Sequence, residues 1–214
     1  MFLICCFSFF GILAGFAEQQ FALKKFDRRV AEKSLIDEVD ILSRLRHEHI
    51  IRCEFFFEDG RYVYIVMQLA TSGDLFQRIQ GRRSDGKGSW RAYQVKEWFA
   101  QVLSGTGFMH SKKILHRDIK TPNILITKDD DGREKMLLCD FGLAKQSELA
   151  SQLTQTQVGT RLYQSPEMIQ NKPYQKDCDY WALGCVLYEM WYGLEDEKTT
   201  QLSMSKMSQE QYEI

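Results

Sequence analysis

Between Ile114 and Leu125 the chain reads ILHRDIKTPNIL, and this stretch constrains its structure more than any other. Within eight positions stand His116, Arg117, Asp118, Lys120 and Asn123, a concentration of acid, base and amide that a surface turn does not require. Its bland reading is a polar turn, but apolar runs follow it at Asn123–Thr127 and at Met136–Cys139, around the polar segment Lys128–Lys135. That pattern is a hairpin, so the polar loop leads directly into it. Immediately after the hairpin comes Asp140-Phe141-Gly142, whose carboxylate would sit at a strand end facing a cleft.

Upstream, Gln20–Phe26 alternates and is aromatic-rich, which predicts a strand with Lys24 emerging from it. Ala31–Leu45 switches to helical period, with Leu35, Val39 and Leu42 on one side and Glu38 flanking that stripe. Lys24 and Glu38 could each be solvated surface charges. Alternatively, the helix carries Glu38 to Lys24 and the two form an ion pair. Transfer of a phosphoryl group asks for positioning, metal-bound charge and a group that takes the hydroxyl proton. Residues for each of these jobs can be found among Asp118, Lys120, Asn123 and Asp140.

The octet His116–Asn123 matches H-R-D-x-K-x-x-N, and Asp140-Phe141-Gly142 is D-F-G. Ala22-Leu23-Lys24 resembles the A-x-K of a third strand, and Glu38-Val39-Asp40-Ile41-Leu42 the helix bearing its partner. Val158-Gly159-Thr160 and Ser165-Pro166-Glu167 resemble the end of an activation segment, with Ser in place of the usual Ala. Asp179-Tyr180-Trp181-Ala182-Leu183-Gly184 resembles the D-x-W-x-L-G opening of a central helix. In this order, over Phe21–Gly193, the chain resembles the eukaryotic protein kinases, and Lys120 with Thr160 points to the Ser/Thr type. EDGRYVYIVM, GDLFQRI, KKILHRDIKTPNIL and NKPYQKDCDYWALGCVLYEM are similar to the NIMA-related kinases.

That resemblance implies an α+β, two-lobed fold: a small antiparallel sheet with one helix, then a mainly helical lobe. The expected division is an apolar segment at 1–17, the small lobe at 18–70, the large lobe at 71–194 and a polar tail at 195–214. It implies ATP and Mg²⁺ as cofactors and proteins as substrates. Asp118 and Lys120 would be catalytic, and Asn123 and Asp140 would hold the metal. Ala22, Lys24, Glu38, Met67, Gln68, Leu69, Ala70, Leu125 and Asp140 would form the nucleotide site. There Met67 would be the gatekeeper, 68–70 the hinge, and Ala22 with Leu125 the clamp on the adenine ring. Leu42, Cys53, Phe141 and His116 would stack as a spine on Asp179. Arg117 before Asp118 implies activation by a phosphate, placed at Thr156 with Thr154 as competitor, by an upstream kinase or by autophosphorylation. A cytoplasmic protein of the cytoskeleton, centrosome or cilium is the expected setting.

The remaining segments predict strands at Ile50–Phe57 and Arg61–Gln68 about the turn Glu58-Asp59-Gly60, and a helix near Leu75–Gln80. Gly81–Ser89 reads as a loop. Tyr93–Ser111 reads as an amphipathic helix with Val95, Trp98, Phe99, Val102, Leu103 and Phe108 on its core side. Tyr180–Tyr192, apolar on nearly all faces, is expected to be buried.

A net charge of −1 gives no electrostatic reason for nucleic acid or an anionic membrane. Six cysteines without a C-x-x-C pair fit a reduced, intracellular compartment. Met1–Phe16 is an apolar run with three open readings: a signal or membrane anchor, a degenerate first strand pair, or foreign sequence. Two parts of the family pattern are missing: a G-x-G-x-x-G loop before Lys24, and the helices expected after Gly193. The expectation is therefore a kinase-like chain shortened at both ends. Its rival is a catalytically impaired relative that acts as a binding or regulatory module.

Overall fold

Alternation along Gln19–Asp27 puts Ala22 and Lys24 on the buried side and Lys25 in solvent, and the segment is a strand of a four-stranded antiparallel sheet. The computed structural model describes residues 5–9, 19–27, 38–84, 90–146 and 159–193. Strands β1 (Cys5–Phe9), β2 (Gln19–Asp27), β3 (Cys53–Asp59) and β4 (Tyr62–Gln68) lie in the order β1-β2-β4-β3. The register sets Ala22 opposite Met67 and Lys24 opposite Ile65. Helix α1, described over residues 38–44, turns Glu38, Ile41 and Leu42 inward at helical spacing, and Leu45 just after it is buried as well.

The β3–β4 hairpin departs from expectation at both ends. Its turn is the two residues Gly60–Arg61, with Gly60 at φ +53°, so Glu58 and Asp59 belong to the strand. The strand starts at Cys53 rather than Ile50, because Ile50 and Ile51 pair elsewhere. Ile51 N donates to Leu138 O at 2.8 Å, and Leu138 N donates to His49 O at 3.0 Å. This apolar pair ties the small lobe to the hairpin of the large one.

The large lobe begins at α2 (Leu75–Ser84), where the Asp74 side chain accepts from Gln77 N at 2.8 Å, as an N-cap should. The helix runs to Ser84, past the expected end at Gln80, and Arg82 lies over the Trp90 ring at 4.0 Å. Helix α3 (Ala92–Ser111) buries Val95, Trp98, Val102, Gly105, Thr106 and Met109. A Cβ on Gly105 would come within 2.8 Å of His49 O, so only glycine permits this approach to the small lobe. Strands β5 (Ile114–Leu115) and β8 (Lys145–Gln146) pair, as do β6 (Ile124–Lys128) and β7 (Glu134–Leu138). A short α4 (Pro166–Ile169) and the long α5 (Asp177–Tyr192) complete the described fold.

Two burial expectations need correction. Leu103 on α3 is 41% exposed, and α5 is buried along one side only, with Tyr180, Leu187, Trp191 and Tyr192 in contact with solvent. The α3 and α5 faces enclose an open apolar groove of about 690 Å³ lined by Phe99, Leu103, Leu187 and Trp191. Hydrophobicity on all sides marked α5 as a core helix, but the described residues pack against only one side of it. Among the described residues no helix is long and apolar enough to cross a membrane, and Cys53, Cys139, Cys178 and Cys185 are free.

Candidate active site

β2 and α1 bring Lys24 and Glu38 together, and the end of β7 delivers Asp140 to the same point. Lys24 Nζ lies 2.6 Å from Glu38 Oε1 and 2.8 Å from Asp140 Oδ1. Burial pulls the Lys24 pKa down, but the charges of Glu38 and Asp140 outweigh it and leave the ammonium more basic than usual. Burial would raise Asp140, yet the charge and hydrogen bond of Lys24 prevail and hold its carboxyl below the usual range. At Glu38 burial prevails over Lys24, so its carboxyl lies above the usual range. Asp140 is thus the firmer anion of the two, and its side chain is the more open, 35% exposed against 3% for Glu38.

The second group gathers on Asp118. Its Oδ1 accepts from Thr160 N and Thr160 Oγ1, both at 2.9 Å. Its Oδ2 lies 2.8 Å from Lys120 Nζ and accepts from Asn123 Nδ2 at 3.0 Å. Asn123 Nδ2 also donates to Asp118 O at 2.9 Å, so both its protons are committed and its Oδ1 is the atom left to accept or to ligate. Lys120 Nζ donates to Thr160 Oγ1 at 2.7 Å. The two groups meet through the backbone, where Cys139 N, beside Asp140, donates to Asn123 O at 3.0 Å.

Three backbone positions around these groups are demanding. Arg117 at φ +65° and Asp140 at φ +63° are left-handed residues with side chains, a conformation that costs about 1–2 kcal/mol each and persists only where surroundings impose it. Asp179, fully buried on α5, imposes the first: its Oδ1 accepts from Arg117 N at 2.8 Å and its Oδ2 from His116 N at 3.0 Å. His110 Nε2 lies 2.8 Å from the same Oδ2, and Arg117 Nε donates to Leu143 O at 2.7 Å. The third position is Gly159, at φ +91°, where a Cβ would fall 2.4 Å from Arg117 O.

Comparisons with known proteins identify the family. The protein kinase domain family matches residues 13–213. The chain belongs to the protein kinase family. This kinase chain is 40% identical to the serine/threonine-protein kinase Nek1 of Mus musculus over 153 residues, which are 72% of the chain and 12% of that protein. It is 40% identical to Nek5 of Mus musculus over 154 residues, 72% of the chain and 24% of that protein. It is 36% identical to calcium/calmodulin-dependent protein kinase type 1 of Caenorhabditis elegans over 180 residues, 83% of the chain and 49% of that protein. The chain therefore spans about half or less of the length of these curated relatives.

Of the residues expected from sequence, the kinase fold brings together Lys24, Glu38 and Asp140, and separately Asp118, Lys120, Asn123 and Thr160. Ala22 stands across from Met67 in the sheet. Gln68 is fixed to Arg52, just before β3, its N donating to Arg52 O at 3.0 Å and its Oε1 accepting from Arg52 N at 3.0 Å. Leu69 and Ala70 are half-buried between β4 and α2, and Leu125 is half-buried on β6. In the spine, the His116 and Phe141 rings lie 4.9 Å apart above Asp179, and Leu42 and Cys53 belong to the same core. Thr154 and Thr156, Leu35, the loop at 85–89 and the tail at 195–214 lie outside the described residues. Sequence reasoning missed Thr121, Tyr163 and Glu189, whose side chains form a buried hydrogen-bonded cluster beneath Lys120 and Thr160. Glu189 could have been noticed as the single charge in the apolar run WALGCVLYEMWY.

Proposed function

We propose that this chain transfers the γ-phosphoryl group of ATP to serine and threonine hydroxyls of protein substrates. The observation that carries the proposal is the convergence of Lys24, Asp140, Asn123 and Asp118 at the junction of the two lobes. One carboxylate and one amide oxygen are a hard-oxygen donor pair that suits Mg²⁺ when phosphates and water complete its shell. Among the described residues no three His, Cys, Asp or Glu side chains gather as a cage. When bound, ATP supplies the phosphoryl group and Mg²⁺ neutralises charge on its oxygens.

Each side chain then has a defined task. Lys24, held by Glu38, would offer its ammonium to the phosphates. Asp140 Oδ2 and Asn123 Oδ1 would be the atoms to hold the metal, because Asp140 Oδ1 is bonded to Lys24 and Asn123 Nδ2 to Asp118. Asp118 accepts the proton of the incoming hydroxyl, and Lys120 stabilises charge on the group in transit. The contact of Thr160 Oγ1 with Asp118 and Lys120 supports this reading, since a hydroxyl of the chain itself sits within hydrogen-bond distance of both. Ala22, Met67, Gln68, Leu69, Ala70 and Leu125 are the residues we assign to the adenine ring.

The test is transfer of labelled phosphate from ATP to a protein acceptor by the purified chain, beside an Asp140→Ala variant. Transfer by the parent and its loss in the variant are expected. Equal labelling in both would refute the proposal.

A further inference from the structure

β3 ends the four-stranded sheet, since among the described residues only β4 pairs with it. One row of its backbone N–H and C=O groups therefore has no strand beside it, which invites pairing with another chain. Native proteins blunt such an edge with lysine, proline, a bulge or a covering segment. Here the register shifts only at the start, between Cys53 and Phe55, and the regular run Phe55–Asp59 contains neither lysine nor proline. It presents three consecutive phenylalanines instead, Phe55 at 45%, Phe56 at 53% and Phe57 at 38% exposure. The three do not share a face. Phe55 and Phe57 stand across from Val66 and Tyr64, with the Phe57 ring stacked on Tyr64 at 4.8 Å and 6.3 Å from that of Phe55. Phe56 stands across from Ile65, on the side of the sheet that carries Lys24.

A partner docked on one face of the sheet would cover Phe55 and Phe57, or Phe56, but not all three. A strand laid along the edge covers all three, because its own side chains alternate between the same two faces. We propose that β3 is a docking edge, which takes an extended segment of a partner protein as a fifth, antiparallel strand of this sheet. Charge defines the chemistry of that segment. The charges within β3 are all acidic, Glu54, Glu58 and Asp59. Cations nearby are engaged: Arg52 pairs with Glu54, Arg61 with Asp27, and Lys25 lies over the Tyr62 ring at 3.7 Å. The partner segment is therefore apolar opposite Phe55–Phe57 and carries lysine or arginine opposite Glu58 and Asp59, since unlike charges attract across a strand pair and like charges repel. A second copy of this chain fits less well. Antiparallel pairing about Phe56 aligns the phenylalanines of two copies, but it sets Glu54 against Glu58 on both sides of the axis.

The test is fluorescence anisotropy with the full chain and a labelled probe peptide, two lysines followed by alternating valine and threonine, at low ionic strength and without ATP. Saturable binding is expected, and replacing both lysines of the probe by glutamate should weaken it about ten-fold. Two further probes, each N-methylated at one alternate set of backbone amides, should differ about ten-fold in affinity, because only one set faces β3. Phe55→Lys and Phe56→Lys place a charge on either face of the edge at exposed positions, and each should weaken the lysine probe about ten-fold. The probe comparisons use the parent chain alone, so they decide the matter even where a variant does not fold. No saturable binding, equal affinity for the lysine and glutamate probes, or equal affinity for the two N-methylated probes overturns the proposal. A dimer of the chain alone in sedimentation, dissolved by Phe56→Lys, assigns the edge to a second copy and overturns it as well.

Discussion

Asp179→Asn is the sharpest probe of how α5 shapes the active loop. The carboxylate takes three hydrogen bonds from nitrogen donors in a fully buried site, one at Oδ1 from Arg117 N and two at Oδ2 from His116 N and the His110 ring, beside a weak contact of 4.0 Å from the Cys178 thiol to Oδ1. An asparagine turned to keep its oxygen at the Oδ2 position retains two of them. Its NH₂ then faces the Arg117 N–H, so one bond is lost and two donors oppose each other. Losing a bond between a charged acceptor and a buried donor costs about 2–3 kcal/mol. Arg117 also loses the contact that maintains its φ of +65°, and relaxation there moves the adjacent Asp118. At about 2–4 °C per kcal/mol for a chain of this size, the melting temperature should fall by about 4–12 °C. Asp177→Asn makes the same atomic change on the exposed first turn of α5 and should cost no more than about 1 kcal/mol. Thermal unfolding followed by circular dichroism compares the two variants. If they melt together, Asp179 does not hold the loop as argued.

Lys24→Met strands Glu38 and should cost about 3 kcal/mol near neutral pH, with a changed pH dependence of stability. Because Lys24 lowers the Asp140 pKa, the parent gains stability that is present above the unfolded value of 3.8 and is lost as pH falls through the folded value. The raised Lys24 pKa contributes stability present below 10.5 and lost as pH rises through the folded value. Urea midpoints across both windows should show these two limbs in the parent and their absence in the variant, so parallel profiles would contradict the ion-pair account. Gly159→Ala should abolish transfer activity, since its Cβ meets Arg117 O at 2.4 Å. Gly132→Ala, with φ +78° but open space around its Cβ, should cost only about 1 kcal/mol of backbone strain and leave activity intact. Melting temperatures and turnover of the two alanine variants check this, and equal turnover in both would sink the steric argument.

Much of the site was legible because phosphoryl transfer demands particular residue types at short fixed spacings, as in His116–Asn123 and Asp140–Gly142. Lys24 and Glu38 were readable from two different periodicities that each turned one charge toward the apolar side. Apolarity was a poorer guide to partners. Ile50 and Ile51 looked like the start of a strand but bond to Leu138, because a short apolar run does not disclose which lobe it joins. Leu103 and the outer side of α5 read as core because hydrophobic content carries no information about which face meets another element. Glu189 was lost in the opposite way, as a single charge within an apolar helix whose partners stand 68 and 26 residues away in sequence.

Asp179 and Glu189 together explain how the active loop is held. Ten residues of helix separate them, about 15 Å along the axis. Asp179 holds His116 and Arg117 at the start of the loop, and Glu189 holds Thr121 at its far end. Four residues from Arg117 to Thr121 reach at most about 14 Å when fully extended, and Lys120 has extended dihedrals, φ −163° and ψ 162°. The greatest reach of the loop is therefore comparable to the axial spacing of its two anchors. Asp118 and Lys120 lie inside that interval, so their directions are set by two fixed points on one rigid helix rather than by the loop's own preferences. A polar octet that would be a mobile turn in isolation becomes a defined catalytic geometry because α5 carries an acid at each end of it.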